Sequence, residues 1–236
     1  MSSGRIVAVE SSCDETAVAV VERGRRIVAN VVASQVQLHS ATGGIVPEVA
    51  ARAHLRWMIP VLEEARERSG IDDWSGVDAV AVTEGPGLAG SLLVGITMAK
   101  TLAWSLDLPL VPVNHLEGHI YAAWLLDPDE AEKPAPEFPL VAMVVSGGHT
   151  FIVEMQDHLR YRLLGQTVDD AAGEAFDKVG RLLGLSYPGG PAIMKAAAGA
   201  TAHDHRFPRA WMGESYDFSF SGLKTACLLY TSDAAD

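Results

Sequence analysis

The sequence predicts an α/β fold in two lobes, and three features carry that reading. Strand-like and helix-like stretches alternate along the chain, which implies at least some parallel sheet. A stretch rich in proline and acid, Asp127–Phe138 (DPDEAEKPAPEF), interrupts them and reads as a linker. After it the opening pattern restarts. Sliding residues 6–18 by 134 positions lays IVAVESSCDETAV over LVAMVVSGGHTFI without a gap, with Val7/Val141, Ala8/Ala142, Ser12/Ser146 and Thr16/Thr150 identical. A strand, a polar turn and a second strand in each half suggest a two-lobed nucleotide clamp whose turns offer backbone N–H groups to phosphate. The expected division is residues 1–126, a linker at 127–139, and a second lobe over 140–226.

The opening reads as three short strands: apolar Ile6–Glu10, the small and β-branched Thr16–Val21, and Ile27–Val32 after a turn at Arg23-Gly24. Helical periodicity begins near Pro47, a favoured first-turn residue, and runs through Val49, Leu55, Ile59, Leu62 and Ala65. Pro60 is expected to kink this helix and Gly70 to end it. Val77–Val82 is a buried-type strand, Gly85-Pro86-Gly87 a break, and Ser91–Leu106 a helix. Leu108–Val113 is a strand and Leu116–Leu126 a helix. Beyond the linker, Leu140–Val145 and Thr150–Glu154 read as strands around the tight turn Ser146-Gly147-Gly148.

Bulk composition narrows the functional class. Of 236 residues 48% are hydrophobic and 20% charged, so the chain can bury a core. Lys and Arg number 18 against 30 Asp and Glu, a net charge of -12, which argues against unaided nucleic-acid binding. The two cysteines form no CxxC pair and point to a reduced, cytoplasmic protein. The first residues lack the apolar stretch of a signal peptide, and no apolar run reaches the roughly 18 residues of a membrane span.

Several clusters could carry chemistry. His115 and His119 in NHLEGH stand four apart at the start of a predicted helix, so both rings share a face and could chelate one divalent metal. They could equally be surface or capping histidines, and the order differs from H-E-x-x-H. In VVSGGHT, Gly147 and Gly148 remove Cβ atoms where backbone must approach a ligand, and Ser146 adds a hydroxyl, although an ordinary hairpin turn needs the same residues. A helix is expected over Thr167–Leu185, with Thr167 as its cap. Its polar stripe of Asp170, Glu174, Asp177 and Arg181 is either a solvated face or a binder of ribose or a cation. Tyr187-Pro-Gly-Gly-Pro191 reads as a rigid close-approach loop. Asp14 and Glu15 sit in the first turn as a general base, a magnesium anchor or simple turn formers. Asp217–Thr225 reads as a strand with Phe218 and Phe220 on one face and Ser219 and Ser221 on the other.

Taken in order, ESSCDET (10–16), GGIVPEVAAR (43–52), TEGPGLAGSLLVG (83–95), NHLEGH (114–119), VSGGHT (145–150), DDAAGEAFDKVGRLLGL (169–185), YPGGP (187–191) and DFSFSGLKT (217–225) resemble the TsaD-type tRNA N(6)-adenosine threonylcarbamoyltransferase family, formerly the O-sialoglycoprotein endopeptidase (Gcp) family. The resemblance is near-continuous from Ile6 to about Ala226. It implies an actin-like ATPase (ASKHA) fold of two lobes, each with a mixed sheet. It implies transfer of the threonylcarbamoyl group from threonylcarbamoyl-AMP to the N(6) amine of the adenine 3′ of the anticodon, in tRNAs reading ANN codons. By the family pattern His115 and His119 are ligands of one divalent metal ion, iron in preference to zinc. Val144, Val145, Ser146, Gly147, Gly148, Asp177 and Gly190 fall on substrate-binding positions, and Asp14 and Glu15 on the acidic first loop as catalytic candidates. The implied partners are tRNA, a paralogous non-catalytic subunit and a small P-loop ATPase, with no membrane.

The sequence departs from the family after GLKTA. The segment carrying the family's third metal ligand, an Asp, and a ribose-contacting Asn is not in this chain, so the second lobe is expected to be incomplete and the chain an inactive, C-terminally truncated fragment. Residues 227–236 (CLLYTSDAAD) do not continue the pattern and read as a foreign tail. Competing readings are a metalloprotease, against which the absence of H-E-x-x-H counts, a small-molecule kinase, and a non-catalytic scaffold, which would need neither histidine nor the glycine turn.

Overall fold

The computed structural model describes residues 4–40, 42, 44–201 and 206–233. Gly43 of the GGIVPEVAAR string and the last three residues of the 227–236 stretch lie outside the described residues. The chain divides into two compact units, Met1–Pro136 and Glu137–Asp236.

The first unit holds a five-stranded mixed sheet of β1 (Arg5–Glu10), β2 (Glu15–Glu22), β3 (Arg26–Ser34), β4 (Ala79–Gly85) and β5 (Leu110–Asn114). Its spatial order is β3-β2-β1-β4-β5. β1, β2 and β3 pair antiparallel, while β1, β4 and β5 run parallel. Alternate residues Val7 and Val9 and Val18 and Val20 are buried, as period-two side-chain geometry requires, while β4 is buried on both faces from Val80 to Thr83. They join Met58, Val61 and Ala65 of α2 (Pro47–Arg68) and Ala99 and Leu102 of α3 (Ala89–Ser105) in one apolar core. A short helix, α1 (Val36–Ser40), precedes them. Pro47 starts α2, where its missing N–H costs nothing, and Gly70 at φ +67° follows its end. Pro60 lies inside α2, which nevertheless runs unbroken from Pro47 to Arg68. The helix expected over Leu116–Leu126 is shorter: α4 spans His115–Tyr121, and a single 3₁₀ turn, Ala122–Trp124, follows. Among the described residues no helix is long and apolar enough to cross a membrane.

The second unit holds β6 (Leu140–Val145), β7 (Thr150–Asp157) and β8 (Arg160–Gln166), antiparallel throughout, where the family resemblance implied a mixed sheet. Its pairing repeats that of the first unit. Ile6↔Val21, Val7↔Val20, Ala8↔Ala19, Val9↔Val18 and Glu10↔Ala17 become, 134 residues on, Leu140↔Met155, Val141↔Glu154, Ala142↔Val153, Met143↔Ile152 and Val144↔Phe151. A one-residue slip would turn every side chain to the other face, so shared register is a stronger sign of duplication than shared letters.

Three elements differ from the sequence reading. Helix α5 spans Ala172–Leu182, starting five residues after Thr167. The intervening acids have other partners: Asp169 accepts hydrogen bonds from the Ser219 and Ser221 hydroxyls and the Phe220 N–H, and Asp170 pairs with Lys178 and Lys224. The Thr167 hydroxyl donates to the Asp170 carbonyl and caps nothing. The Pro-Gly-Gly-Pro loop opens helix α6 (Gly189–Ala197), with Pro188 just before its first turn. The stretch expected as a strand over Asp217–Thr225 makes one bridge, Thr167 to Phe218, and then enters helix α7 (Ser221–Asp233), which passes Cys227 without a break.

Candidate functional site

Parallel strands place their carboxyl ends on one edge of a sheet, where ligands of open α/β folds bind. In the first unit that edge gathers Glu10 at the end of β1, Thr83 on β4 and His115 immediately after β5. Asn114 is the N-cap of α4. Its side-chain oxygen accepts from the N–H groups of Leu116 at 2.9 Å and Glu117 at 3.4 Å, which fixes the first helical turn and therefore His115. His119, one turn on, meets it. The two Nε2 atoms lie 3.1 Å apart, with ring planes at 77°.

That separation fits a shared metal. With metal–nitrogen bonds of about 2.0–2.1 Å, two nitrogens 3.1 Å apart subtend about 95–100° at the ion, between octahedral and tetrahedral angles. The other nitrogen of His115, Nδ1, faces the Glu10 carboxylate at 3.2 Å and the Ser12 hydroxyl at 3.3 Å. Glu10 also accepts from the Thr83 hydroxyl at 2.6 Å and from the Ser12 N–H. Burial pushes its carboxyl up, but the hydrogen bonds from His115, Ser12 and Thr83 outweigh this and hold it at about 2. A carboxylate behind a histidine is the usual support of a metal ligand. Among the described residues no group of three or more His, Cys, Asp or Glu is placed to hold a metal, so the pair supplies two ligands.

Asp14 and Glu15 share the β1–β2 turn and the start of β2 with this edge. The Asp14 carboxylate lies against the Cys13 thiol, which burial, with Asp14 adding, pushes up to about 11. Glu15 is exposed. Neither makes a hydrogen bond to the histidine pair among the described residues, so the structure does not join these two candidates to it. Behind the turn lies a fully buried polar chain. Thr16 Oγ1 meets His54 Nδ1 at 2.8 Å, His54 Nε2 meets the Cys13 carbonyl at 3.1 Å, and Gln35 links His54 to His39. This chain ties α1 and α2 to the acidic turn, and burial pulls His54 down. Glu10 and His54 escaped the sequence reading. Glu10 sat inside a quoted string as the end of a strand, and His54 on a helix face, each with partners many tens of residues away.

In the second unit the turn between β6 and β7 is closed by the Ser146 N–H donating to the His149 carbonyl at 2.8 Å and the His149 N–H donating to the Ser146 hydroxyl at 3.0 Å. Gly147 and Gly148 are exposed, and their N–H groups take no partner among the described residues. The Gly173 N–H, in the first turn of α5, donates to the Ser146 carbonyl at 3.1 Å. A Cβ at Gly173 would lie 2.6 Å from that oxygen, so glycine is what lets helix and turn touch. Asp177 is one helical turn further. Its Oδ1 accepts from the Gly189 N–H at 2.7 Å, and Gly190 is the next residue of α6. The structure thus brings Ser146, Gly147, Gly148, Asp177 and Gly190 into one arc along α5. Val145 is exposed, while the Val144 side chain is buried and can face a ligand only through its backbone. Of the polar stripe, Asp170 just before α5 and Glu174 on it both pair with Lys178, and Asp177 holds α6.

A family model described as tRNA N6-adenosine threonylcarbamoyltransferase matches residues 26–235. Proteins of that name align closely. The one from Thermomicrobium roseum is 62% identical over 223 residues, covering 94% of this chain and 61% of its own. The one from Symbiobacterium thermophilum is 56% identical, covering 98% and 65%, and the one from Dehalococcoides mccartyi strain BAV1 is 55% identical, covering 95% and 66%. The chain therefore spans 61–66% of the length of these relatives. Among solved structures, YeaZ from Pseudomonas aeruginosa aligns over 98% of this chain and 94% of its own, at 15% identity and a TM-score of 0.42.

Proposed function

This chain belongs to the tRNA N6-adenosine threonylcarbamoyltransferase family, and from that premise we propose that the protein, on an actin-like (ASKHA) scaffold, transfers the threonylcarbamoyl group from threonylcarbamoyl-AMP to the N(6) amine of the adenine 3′ of the anticodon in tRNAs reading ANN codons. The observation that carries the reading is the 62% identity to a protein of that name, in a chain that holds both the histidine pair and the glycine turn.

His115 and His119 hold one divalent metal ion, iron in preference to zinc. When bound, such an ion would supply Lewis-acid chemistry. The chain's own groups do the rest. In the second unit the unpartnered N–H groups of Gly147 and Gly148 bind the phosphate, as backbone donors in a turn suit an anion. Asp177 keeps Oδ1 on Gly189 and offers Oδ2 to a ribose hydroxyl, while Gly190 and the backbone of Val144, Val145 and Ser146 allow the adenylate close approach. In the transfer the adenine N6 forms a bond to the carbamoyl carbon. The bond from that carbon to the phosphate oxygen breaks, AMP leaves, and a general base takes the amine proton. The adenine must be presented out of its stack. A net charge of -12 assigns much of the tRNA grip to partners, a paralogous non-catalytic subunit and a small P-loop ATPase, in the cytoplasm where tRNA lies.

The test uses cells depleted of their own enzyme and supplied with this chain joined to the C-terminal remainder of the Thermomicrobium relative. Mass spectrometry of their tRNA nucleosides should show threonylcarbamoyladenosine restored. Its continued absence, where the intact relative restores it, would refute the reading.

A further inference from the structure

We propose that Glu10 is the positioning residue of the histidine pair: its carboxylate holds the ring proton of His115 on Nδ1 and leaves the Nε2 lone pair directed at His119. The inference rests on the metal-binding reading of His115 and His119.

An ionised carboxylate is an acceptor only, whereas an imidazole nitrogen is a donor or an acceptor according to tautomer. Nδ1 of His115 lies 3.2 Å from Glu10 Oε2, so the contact is favourable only with the proton on Nδ1. The Ser12 hydroxyl, 3.3 Å from the same nitrogen, can donate or accept and so selects neither tautomer. With Nδ1 protonated, Nε2 carries the lone pair, and it is Nε2 that lies 3.1 Å from Nε2 of His119. Glu10 is itself held in place. One oxygen takes the Ser12 N–H, and the other takes the Thr83 hydroxyl at 2.6 Å, from the neighbouring parallel strand. The carboxylate is thereby fixed from both sides and cannot swing away from His115.

The same geometry makes Glu10→Gln a sharp probe. The Ser12 N–H is a backbone donor that cannot reverse, so it keeps the amide oxygen of Gln on its side. The amide NH₂ then faces His115 Nδ1, which must become an acceptor. The ring proton moves to Nε2 and occupies the lone pair a metal needs. The substitution preserves shape and changes the proton's place.

Two measurements on the 236-residue chain decide the matter. The first is Zn²⁺ affinity, by competition with a chromophoric chelator. Wild type should bind one zinc, His115→Ala/His119→Ala none, and Glu10→Gln about 10–100-fold more weakly than wild type. The second is ¹⁵N NMR of the metal-free histidine rings above their titration range. His115 should be the Nδ1–H tautomer in wild type and Nε2–H in Glu10→Gln, a change that mere loosening of the fold would not produce. Nε2–H in wild type overturns the proposal without any variant. So does a Glu10→Gln protein with wild-type zinc affinity, when wild type binds zinc through its two histidines. A wild type that binds no zinc, or still binds it after both histidines are lost, overturns the metal reading and the proposal with it.

Discussion

Two glycines separate the proposed binding role from a packing role at the level of single atoms. A Cβ added at Gly147 meets nothing within 4 Å, so Gly147→Val should leave the melting temperature near wild type while obstructing a phosphate brought against the turn. We expect at least about tenfold weaker binding of an adenylate analogue, about 1.4 kcal/mol or more, by calorimetry. A Cβ at Gly173 would press on the Ser146 carbonyl, so Gly173→Ala should destabilise the second unit by about 1–3 kcal/mol in denaturant melts. If the first variant melts early, or the second does not, the assignment of the two glycines fails. At this scale the sequence was half legible. The i,i+4 spacing of His115 and His119 already placed their rings on one helix face. Glu10, which faces His115 across 105 residues, was invisible to any local pattern.

Secondary-structure elements turn such contacts into positions. Strands read well because apolar alternation and the Gly24 and Gly70 breaks are local signals. The start of α5 is not legible locally, because Thr167, Asp169 and Asp170 form a plausible cap in sequence, while in the fold Asp169 reaches to residues fifty positions on. The Asp169 contact carries a pH signature. Desolvation pushes the Asp169 carboxyl up, yet the hydrogen bonds from Ser219, Ser221 and Phe220 outweigh it and hold the carboxyl well below the usual carboxylate range. A folded-state value below the unfolded one, ordinarily about 3.9, gives stability that is present above that pH and lost as pH falls toward the depressed folded value. The stability difference between wild type and Asp169→Asn should therefore be constant above about pH 5 and shrink on acidification below it. A difference that grows toward low pH would contradict the assignment. Helix α4 makes a second prediction. Asn114→Ala removes its cap and should cost about 1 kcal/mol of first-unit stability, with weaker zinc binding as His115 loosens. Unchanged melting and unchanged zinc affinity would show that the cap holds nothing that matters.

For the whole molecule the duplication is the organising fact, because the same strand register stands in each unit 134 residues apart. Each copy carries a polar turn between its first two strands, residues 11–14 in one unit and 146–149 in the other. The charge of -12 sets a condition on how such a protein meets RNA. The isolated chain should bind tRNA weakly, with affinity falling further as salt rises, and addition of the proposed partner subunits should restore binding; tight binding by the chain alone would count against that division of labour. The central claim, that the histidine pair serves a tRNA-modifying transfer, is tested most directly by one reconstituted reaction. The chain joined to the Thermomicrobium C-terminal remainder is mixed with partner proteins, tRNA and threonylcarbamoyl-AMP labelled in its threonine, and label in tRNA is counted. Label should enter the tRNA, and His115→Ala/His119→Ala should reduce the rate by more than about 100-fold. Label entering at an undiminished rate in the double variant, or failing to enter with the joined protein while the intact relative transfers it, would contradict the account.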